Sequence, residues 1–257
     1  MTEIPELGYG AIRKILREKD VKVNGKRVNE DVKVAAGDEI TVYYRERDVK
    51  PLYDAVYEDD NILIVNKYKK ITSDALFEKL CATKPLYYIH RLDRNTSGLI
   101  VFAKNEESEK ELLQGFKDRA FDKYYLATVY GVPDKKQATL TAYLKKDEKE
   151  SKVKIYDSET KGAVKIITEY KVLKSSGNTS VLEVKLVTGK THQIRAHLAH
   201  VGHFVLGDGK YGVESINKKY KKDGQELTAY KITFRFKEGD KLYYLSGKTF
   251  EIKVNYV

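Results

Sequence analysis

The most informative stretch of this 257-residue chain is His90-Arg91-Leu92-Asp93-Arg94-Asn95-Thr96-Ser97-Gly98-Leu99. It places one carboxylate, Asp93, between two arginines, in a loop that ends at a glycine and enters a predicted strand. Nearby positive charge favours the ionised carboxylate, which is the state that a nucleophile or a general base needs. An aspartate that merely braces the loop through Arg91 or Arg94 fits the same spacing, and the residues of the loop alone do not choose between the two interpretations.

A second polar group, Gly189-Lys190-Thr191-His192-Gln193-Ile194-Arg195, opens a predicted helix over 191–201. We expect Thr191 to be the N-cap of this helix. Its predicted buried stripe is Ile194, Leu198 and Val201. Its polar residues near the start are Lys190, His192 and Arg195. An anion could be held there, and the alternative is a solvated basic face on a structural helix.

Two further patterns near this helix are weaker. Four histidines between residues 192 and 203 suggest zinc, but no cysteine or carboxylate joins them before Asp208, and catalytic zinc needs three convergent ligands. Gly207, Gly209 and Gly212 have the dinucleotide spacing, yet they follow a predicted helix instead of linking a strand to one. We therefore expect no metal and no cofactor.

Alternating apolar and polar residues predict several strands, with few helices and no regular strand–helix alternation. The predicted strands are 61–66, 99–104, 125–129, 163–173, 181–186, 232–236 and 250–254, and the predicted helices besides 191–201 are 73–81 and 106–117. The charged stretch 145–154 suggests a hairpin loop or a mobile insert. This pattern predicts an α+β domain around a large mixed, mainly antiparallel sheet.

The first 47 residues form a separate predicted unit. Ile12, Ile15 and Leu16 share one face of a short helix, and the Asn24-Gly25 dipeptide predicts a type I′ turn in a hairpin over 21–28. A third strand is expected over 40–44. We predict a small α/β-hairpin domain at 1–47, a linker at 48–53 and a larger domain at 54–257.

Charge and composition narrow the class of protein. The chain carries 48 Lys and Arg against 38 Asp and Glu, a net charge of +10. Residues 9–27 and 189–222 each hold seven basic against two acidic residues, which together account for the whole excess. Two basic segments of this kind suggest an RNA-binding surface. No stretch has the length and apolarity of a membrane span or signal peptide, and the single cysteine excludes an internal disulfide framework. We expect a cytoplasmic protein with no membrane partner, and a monomer.

Three separated motifs resemble those of the RluA-type pseudouridine synthases. The stretch 90–99 looks like the family's H-R-L-D-x-x-T-S-G-L signature, and 123–127 is similar to its K-x-Y-x-A strand. Residues 189–195, followed by Gly207-Asp208 and Tyr211-Gly212, resemble its G-R-T-H-Q-I-R to G-D-x-x-Y-G stretch. Residues 9–46 resemble the alpha-L RNA-binding module found in ribosomal small-subunit proteins and tyrosyl-tRNA synthetases. The module is short of its usual first helix, since only Met1 to Tyr9 precede the basic helix.

The resemblance implies a role for each matching residue. Asp93 would be the catalytic aspartate, Tyr125 the tyrosine packed against the target base, Arg195 the arginine that pairs with the aspartate, and Arg91 the residue that enters the RNA stack. The further expected RNA contacts are Arg13, Lys14, Arg17, Lys26, Arg27, Lys190 and His192. Three positions depart from the family's pattern: Lys190 stands where an arginine is usual, Tyr68 replaces the proline of N-K-P, and Phe204 replaces a proline.

The implied activity is isomerisation of uridine in structured RNA. Large-subunit rRNA is the expected substrate and tRNA is the alternative. A second hypothesis, from another class, is a non-catalytic RNA-binding or ribosome-assembly factor on the same fold. Asp93 would either attack the anomeric carbon of the sugar or take a proton from the neighbouring carbon, and the sequence leaves both routes open. A bacterial protein is expected.

Overall fold

A computed structural model describes residues 9–43, 51–147, 150–222 and 224–254. Contacts between residues divide the chain into two compact units, Met1–Leu52 and Tyr53–Val257. Residues 48–50 of the predicted linker lie outside the described residues, and its last residue, Tyr53, begins a strand. No helix within the described ranges is long and apolar enough to cross a membrane.

The N-terminal unit contains one helix and a small antiparallel sheet. These elements are α1 (Tyr9–Arg17), β1 (Val21–Val23), β2 (Lys26–Val28) and β3 (Ile40–Val42), with strand order β2-β1-β3. The predicted hairpin is confirmed: both turn residues have positive φ, 50° at Asn24 and 77° at Gly25, as a type I′ turn requires. The predicted apolar helix face is wrong in part, since Ile15 is buried but Ile12 is 42% exposed. Tyr44, the predicted end of the third strand, lies outside the described residues.

The second unit is built on one eleven-stranded sheet, which confirms the predicted fold class. Its strands are β4 (Tyr53–Glu58), β5 (Ile62–Lys67), β6 (Tyr87–Tyr88), β7 (Ser97–Ala103), β8 (Phe121–Tyr130), β9 (Gln137–Asp147), β10 (Lys152–Tyr156), β11 (Val164–Ser176), β12 (Thr179–Leu186), β13 (Leu227–Phe234) and β14 (Thr249–Glu251). The order is β10-β9-β11-β12-β8-β13-β7-β5-β4, with β14 beside β13 and β6 beside β7. All seven predicted strands overlap observed ones. The charged stretch 145–154 lies where β9 and β10 pair as a hairpin.

The helices of this unit flank the sheet. They are α2 (Ser73–Cys81), α3 (Glu106–Lys117), α4 (Gln193–His200) and α5 (Glu214–Lys219), followed by a 3-10 turn at Lys241–Leu245. The bounds of α2 and α3 are those predicted, because the side chains of Thr72 and Asn105 accept hydrogen bonds from the first turn of each helix.

The predicted start of α4 is wrong, and its predicted buried stripe is confirmed at Ile194 and Leu198 but wrong at Val201. The N-cap is His192, not Thr191, and the backbone of His192 is left-handed, with φ of 56°. The first turn is held instead by Gln193, whose side chain accepts from the backbone N–H of Lys190 and donates to Ile167 of β11. Val201 lies beyond the helix and is 38% exposed.

The large sheet consists of two antiparallel halves joined by one parallel pairing. One half contains β4, β5, β6 and β7, and the other contains β8 to β12 with β13 and β14. They meet where β13 pairs in parallel with β7, at Ser97 with Thr228 and at Gly98 with Ala229. Gly98 has φ of 116°, and a Cβ there would lie 2.2 Å from the carbonyl oxygen of Ala229. Only glycine allows this close approach.

Candidate active site

The loop that carries Asp93 runs from β6 to the parallel pairing of β7 with β13. Two side chains, those of Lys67 and Ser73, fix it. The Lys67 ammonium is fully buried and donates hydrogen bonds to the carbonyls of Tyr68, Ile71 and Arg94. Burial lowers the pKa of Lys67 to about 8, against the opposing influence of the Asp93 charge. The Ser73 hydroxyl bonds both the N–H and the carbonyl of Leu92. Asp93 is thus held at the edge of one half of the sheet.

Arg195 of α4 meets Asp93 from the other half. Its Nη1 donates to Asp93 Oδ2 at 2.7 Å. Arg195 also forms a bidentate pair with Asp208. Its Nε donates to Oδ2 at 2.6 Å and its Nη2 donates to Oδ1 at 2.8 Å. Asp208 is fully buried, and its Oδ1 also accepts from the backbone N–H groups of Lys210 and Tyr211. Arg195 is therefore fixed in position by Asp208 before any ligand binds.

These pairings set the charge states. Burial alone would raise the pKa of the Asp208 carboxyl, but the hydrogen bonds and charge of Arg195 outweigh it and the pKa lies below its usual value. Burial by itself would lower the pKa of Arg195, and its two carboxylate partners raise it. One cation thus lies between two carboxylates.

Tyr125 lies on β8 and lines the same cavity. It is 7% exposed, and its hydroxyl makes no hydrogen bond to any residue that the structure describes. Burial, reinforced by the charge of Asp93, raises the pKa of the Tyr125 hydroxyl, so the group stays a neutral phenol at neutral pH. An aromatic face and a free hydroxyl are therefore available next to the Asp93 carboxylate.

His192 connects Asp93 to the hairpin of β9 and β10. Its Nε2 lies 3.9 Å from Asp93 Oδ1, and its Nδ1 is 2.9 Å from the hydroxyl of Tyr211. That hydroxyl also accepts from the N–H of Val153 on β10. Burial lowers the pKa of His192, although the Asp93 charge opposes the effect. The imidazole is neutral at neutral pH.

A cavity of about 590 Å³ is lined by Asp93, Tyr125, His192 and Arg195. The volume lies within the range of roughly 300–1,000 Å³ typical of ligand pockets. Six Lys or Arg side chains line it, and Asp93 is the one acid among its described lining residues: the basic residues are Arg91, Lys117, Arg119, Lys123, Lys190 and Arg195. This excess of positive charge favours the binding of a negatively charged ligand.

The structure brings together five of the residues singled out from sequence: Asp93, Tyr125, Arg195, Lys190 and His192 line the cavity. Arg91 lines its edge, 65% exposed, with Nη2 3.6 Å from Asp74 Oδ2. The five basic residues of the first unit belong to a separate compact unit.

The sequence interpretation assigned no role to Asp208, Lys67 or Lys123, although all three stand inside matched motifs. Asp208 and Lys123 lie in the G-D-x-x-Y-G and K-x-Y-x-A stretches, and Lys67 lies in the N-K-Y triplet. Their pairing and burial depend on contacts between distant strands, which local spacing does not reveal.

The site therefore pairs an aspartate with an arginine across the division of a mixed sheet, in a cavity whose charged lining residues are mostly basic. The chain belongs to the RNA pseudouridylate synthase family, which it matches over residues 49–200. Its members isomerise uridine in RNA, so the enzyme class expected from the motifs is confirmed.

Curated relatives and a solved structure agree with the assignment of this chain to the family. "Ribosomal large subunit pseudouridine synthase C" of Rickettsia bellii (strain RML369-C) is 33% identical over 243 residues, covering 82% of this chain and 80% of that protein. The protein of the same name from Vibrio cholerae is 30% identical over 237 residues, covering 82% and 74%. The structure of human RNA pseudouridylate synthase domain containing 1 has a TM-score of 0.64 at 24% identity, covering 80% of this chain and 91% of that one, and it shares the fold.

Proposed function

We propose that this enzyme converts uridine to pseudouridine in large-subunit rRNA, in the cytoplasm, with Asp93 as its catalytic carboxylate. The observation that carries the proposal is the contact of Asp93 Oδ2 with Arg195 Nη1 at 2.7 Å, inside the cavity that Tyr125 lines. The names of the curated bacterial relatives favour large-subunit rRNA.

The reaction breaks the bond from the anomeric carbon to N1 of uracil, turns the base, and joins the same carbon to C5. The C5 proton is lost and N1 gains one, so the reaction is an isomerisation without a redox step. Asp93 acts as an anion, either attacking the anomeric carbon or taking the proton of the adjacent sugar carbon. Arg195 holds the carboxylate in position through its hydrogen bond, since its own position is fixed by Asp208.

Tyr125 and Arg91 act on the base. Tyr125 offers its ring to the detached uracil and its hydroxyl for proton transfer. A base inside a duplex cannot enter this cavity, so the target uridine is flipped out of the stack or single-stranded, at a cost of about a few kcal/mol. Arg91 is exposed at the cavity edge and fills the gap that the base leaves.

The basic residues of the first unit provide a second RNA contact. Arg13, Lys14, Arg17, Lys26 and Arg27 lie on or next to α1 and the hairpin. We expect each to contribute about one unit or less to the slope of log affinity against log salt concentration. Replacing all five with alanine and finding an unchanged slope would exclude this role.

The test of the proposal is Asp93→Asn, assayed for pseudouridine in rRNA, with Asp134→Asn in an exposed loop as the matched control. We expect no product from the first variant and wild-type product from the second. Undiminished product from Asp93→Asn would refute the role of the carboxylate. Mapping pseudouridines in total RNA with and without the protein identifies the substrate. A site lost from tRNA would reassign the substrate, and no lost site would favour a binding factor.

A further inference from the structure

Lys123 is a cation inside the cavity with no anionic partner. Its Nζ lies over the ring of Phe116, 4.4 Å from the centroid. It makes no hydrogen bond or ion pair with any residue in the described part of the chain. Lys123 is half-buried, and partial burial of an ammonium without a hydrogen-bonding partner is costly. A bound ligand with a negative charge would remove that cost.

The position of Lys123 places its ammonium within reach of the substrate. Phe121, Lys123 and Tyr125 are alternate residues of β8, so they face the same side, and all three line the cavity. Two residues of a strand span about 7 Å. The ammonium therefore lies beside the base-binding tyrosine and away from Asp93. Gly189 leaves room there, since a Cβ at that position would be 3.4 Å from Nζ.

The groups around Lys123 provide no counter-charge. His90 lies next to it, and burial, with the Lys123 charge as a second cause, lowers the pKa of His90 to about 3, so His90 is neutral. Lys117, Arg119 and Lys190 line the same cavity, and none of the three forms an ion pair with a described residue. Asp93, the acid of this cavity, is bound to Arg195. The charge at this end remains uncompensated.

We propose that Lys123 binds a phosphate of the RNA strand beside the target uridine. The inference rests on the proposed function, since it takes the ligand to be an RNA strand with one nucleotide against Tyr125. A phosphate carries a full negative charge in every nucleotide, whereas uracil is neutral until its bond to the sugar breaks. The neighbouring Lys117, Arg119 and Lys190 extend the same surface toward the next phosphates.

The experiment measures binding of dodecauridylate by fluorescence anisotropy across a series of KCl concentrations. Lys123→Met removes the charge and keeps an apolar stem against Phe116, and Lys123→Arg keeps the charge. Lys110→Met removes a charge from an exposed position of α3, outside the cavity. We expect the salt slope to fall by about 0.7 in Lys123→Met, the contribution of one phosphate of a single strand. The other two variants should keep the wild-type slope.

Two further measurements identify the contacted group. An abasic ribose-phosphate dodecamer has phosphates and no bases, so it should show the same difference between wild type and Lys123→Met. Burial lowers the pKa of Lys123 to about 8. A bound phosphate raises it again, so calorimetry at pH 8.5 should show an uptake of roughly half a proton or more on binding. Lys123→Arg should bind without that uptake.

An unchanged salt slope in Lys123→Met, or a difference that disappears with the abasic strand, overturns the proposal. If Lys123→Met does not fold, the proposal is tested by the proton uptake of wild type compared with that of Lys123→Arg. Equal uptake overturns the proposal. All these measurements are of binding and can be repeated in Asp93→Asn protein. A failure of this phosphate site is therefore distinguishable from a failure of the catalytic assignment.

Discussion

The two halves of the large sheet contribute different parts of the active site. The half containing β5 and β7 supplies Asp93 on a loop fixed by buried Lys67 and Ser73. The half containing β8 and β12 supplies Tyr125 from a strand, and it packs against α4, which carries Arg195. Neither half holds a complete set of groups. The chemistry depends on how closely the two halves are held together.

Within the sheet the halves are joined by few backbone pairs, although Ile62, Val101 and Phe234 belong to one hydrophobic core that both halves share. Two parallel residue pairs connect β7 to β13, and the Arg195–Asp93 pair connects the site across the same division. Within each half, strands are paired over long antiparallel registers. We therefore expect changes at the division to affect activity and stability together. Changes within one half should affect stability more than catalysis.

The largest effect is expected from Gly98→Ala. The added Cβ would lie 2.2 Å from a backbone oxygen of Ala229, and φ of 116° is unfavourable for any side chain. We expect a loss of about 4 kcal/mol or more in the free energy of unfolding, measured by urea denaturation. Gly177→Ala is the matched control, because it has φ of 54° and open space around it, and it should cost about 1 kcal/mol. Equal costs for the two would contradict the importance of the close approach.

Asp208→Asn should have the next largest effect. It removes the charge that fixes Arg195 and leaves a buried guanidinium partly unpaired, at a cost of about 3 kcal/mol. Turnover should fall with Arg195 displaced. Asp157→Asn is the control, since its pair with His200 is exposed and an exposed pair contributes about 1 kcal/mol or less.

Asp208→Asn should also change the pH dependence of stability. The folded pKa of Asp208 lies below its ordinary value of 3.8, so the stability it contributes is present above that value and is lost as pH falls through the folded pKa. Asp208→Asn should lack this acid-side loss. Wild type and variant showing the same loss of stability below pH 4 would argue against the charged pair.

The pH dependence of stability between pH 6.5 and pH 3 tests whether His90 is neutral in the folded protein. Its Nε2 accepts from the backbone N–H of Val101, and burial lowers the pKa of His90 from 6.5 to about 3. The unfolded chain therefore binds a proton that the folded protein does not, and stability falls as pH falls from 6.5, by up to about 1.4 kcal/mol per pH unit. In His90→Gln this contribution should disappear. Burial is the main cause that lowers the pKa of His197 to about 4. His197 should keep its own contribution to the pH dependence of stability.

Ser97→Ala is expected to have the smallest effect. Ser97 Oγ is 2.9 Å from Thr228 Oγ1 across the β7–β13 pairing. Its loss should cost about 1 kcal/mol of unfolding free energy. Combining it with Thr228→Val in a double-mutant cycle should give a cost clearly smaller than the sum of the two single changes. Additive costs would show that the hydroxyl pair does not link the two halves.

The sequence predicted those features that depend on neighbouring residues. The Asn24-Gly25 turn and the caps Thr72 and Asn105 act locally, so the hairpin and the bounds of α2 and α3 are as expected. The start of α4 was misjudged because Gln193 is held by β11, which is distant in sequence.

The motifs indicated Asp93, Tyr125 and Arg195, which lie around one cavity. They did not indicate that Arg195 also pairs with Asp208, or that Lys123 is a half-buried cation inside the cavity. A local pattern treats every lysine as a surface residue. Only the assembled sheet, which places Lys123 between Phe116 and the cavity, distinguishes it from the exposed lysines around it.

The place of β13 in the sheet has a consequence for synthesis of the protein. β13, at Leu227–Phe234, is among the last strands made, yet it lies between β8 and β7. A chain still growing on the ribosome can pair β5 with β7, and β8 with β12, before β13 emerges. The halves cannot join until then. We therefore expect Asp93 and Arg195 to meet only when translation has passed residue 234, so that the nascent chain has no assembled active site before that point.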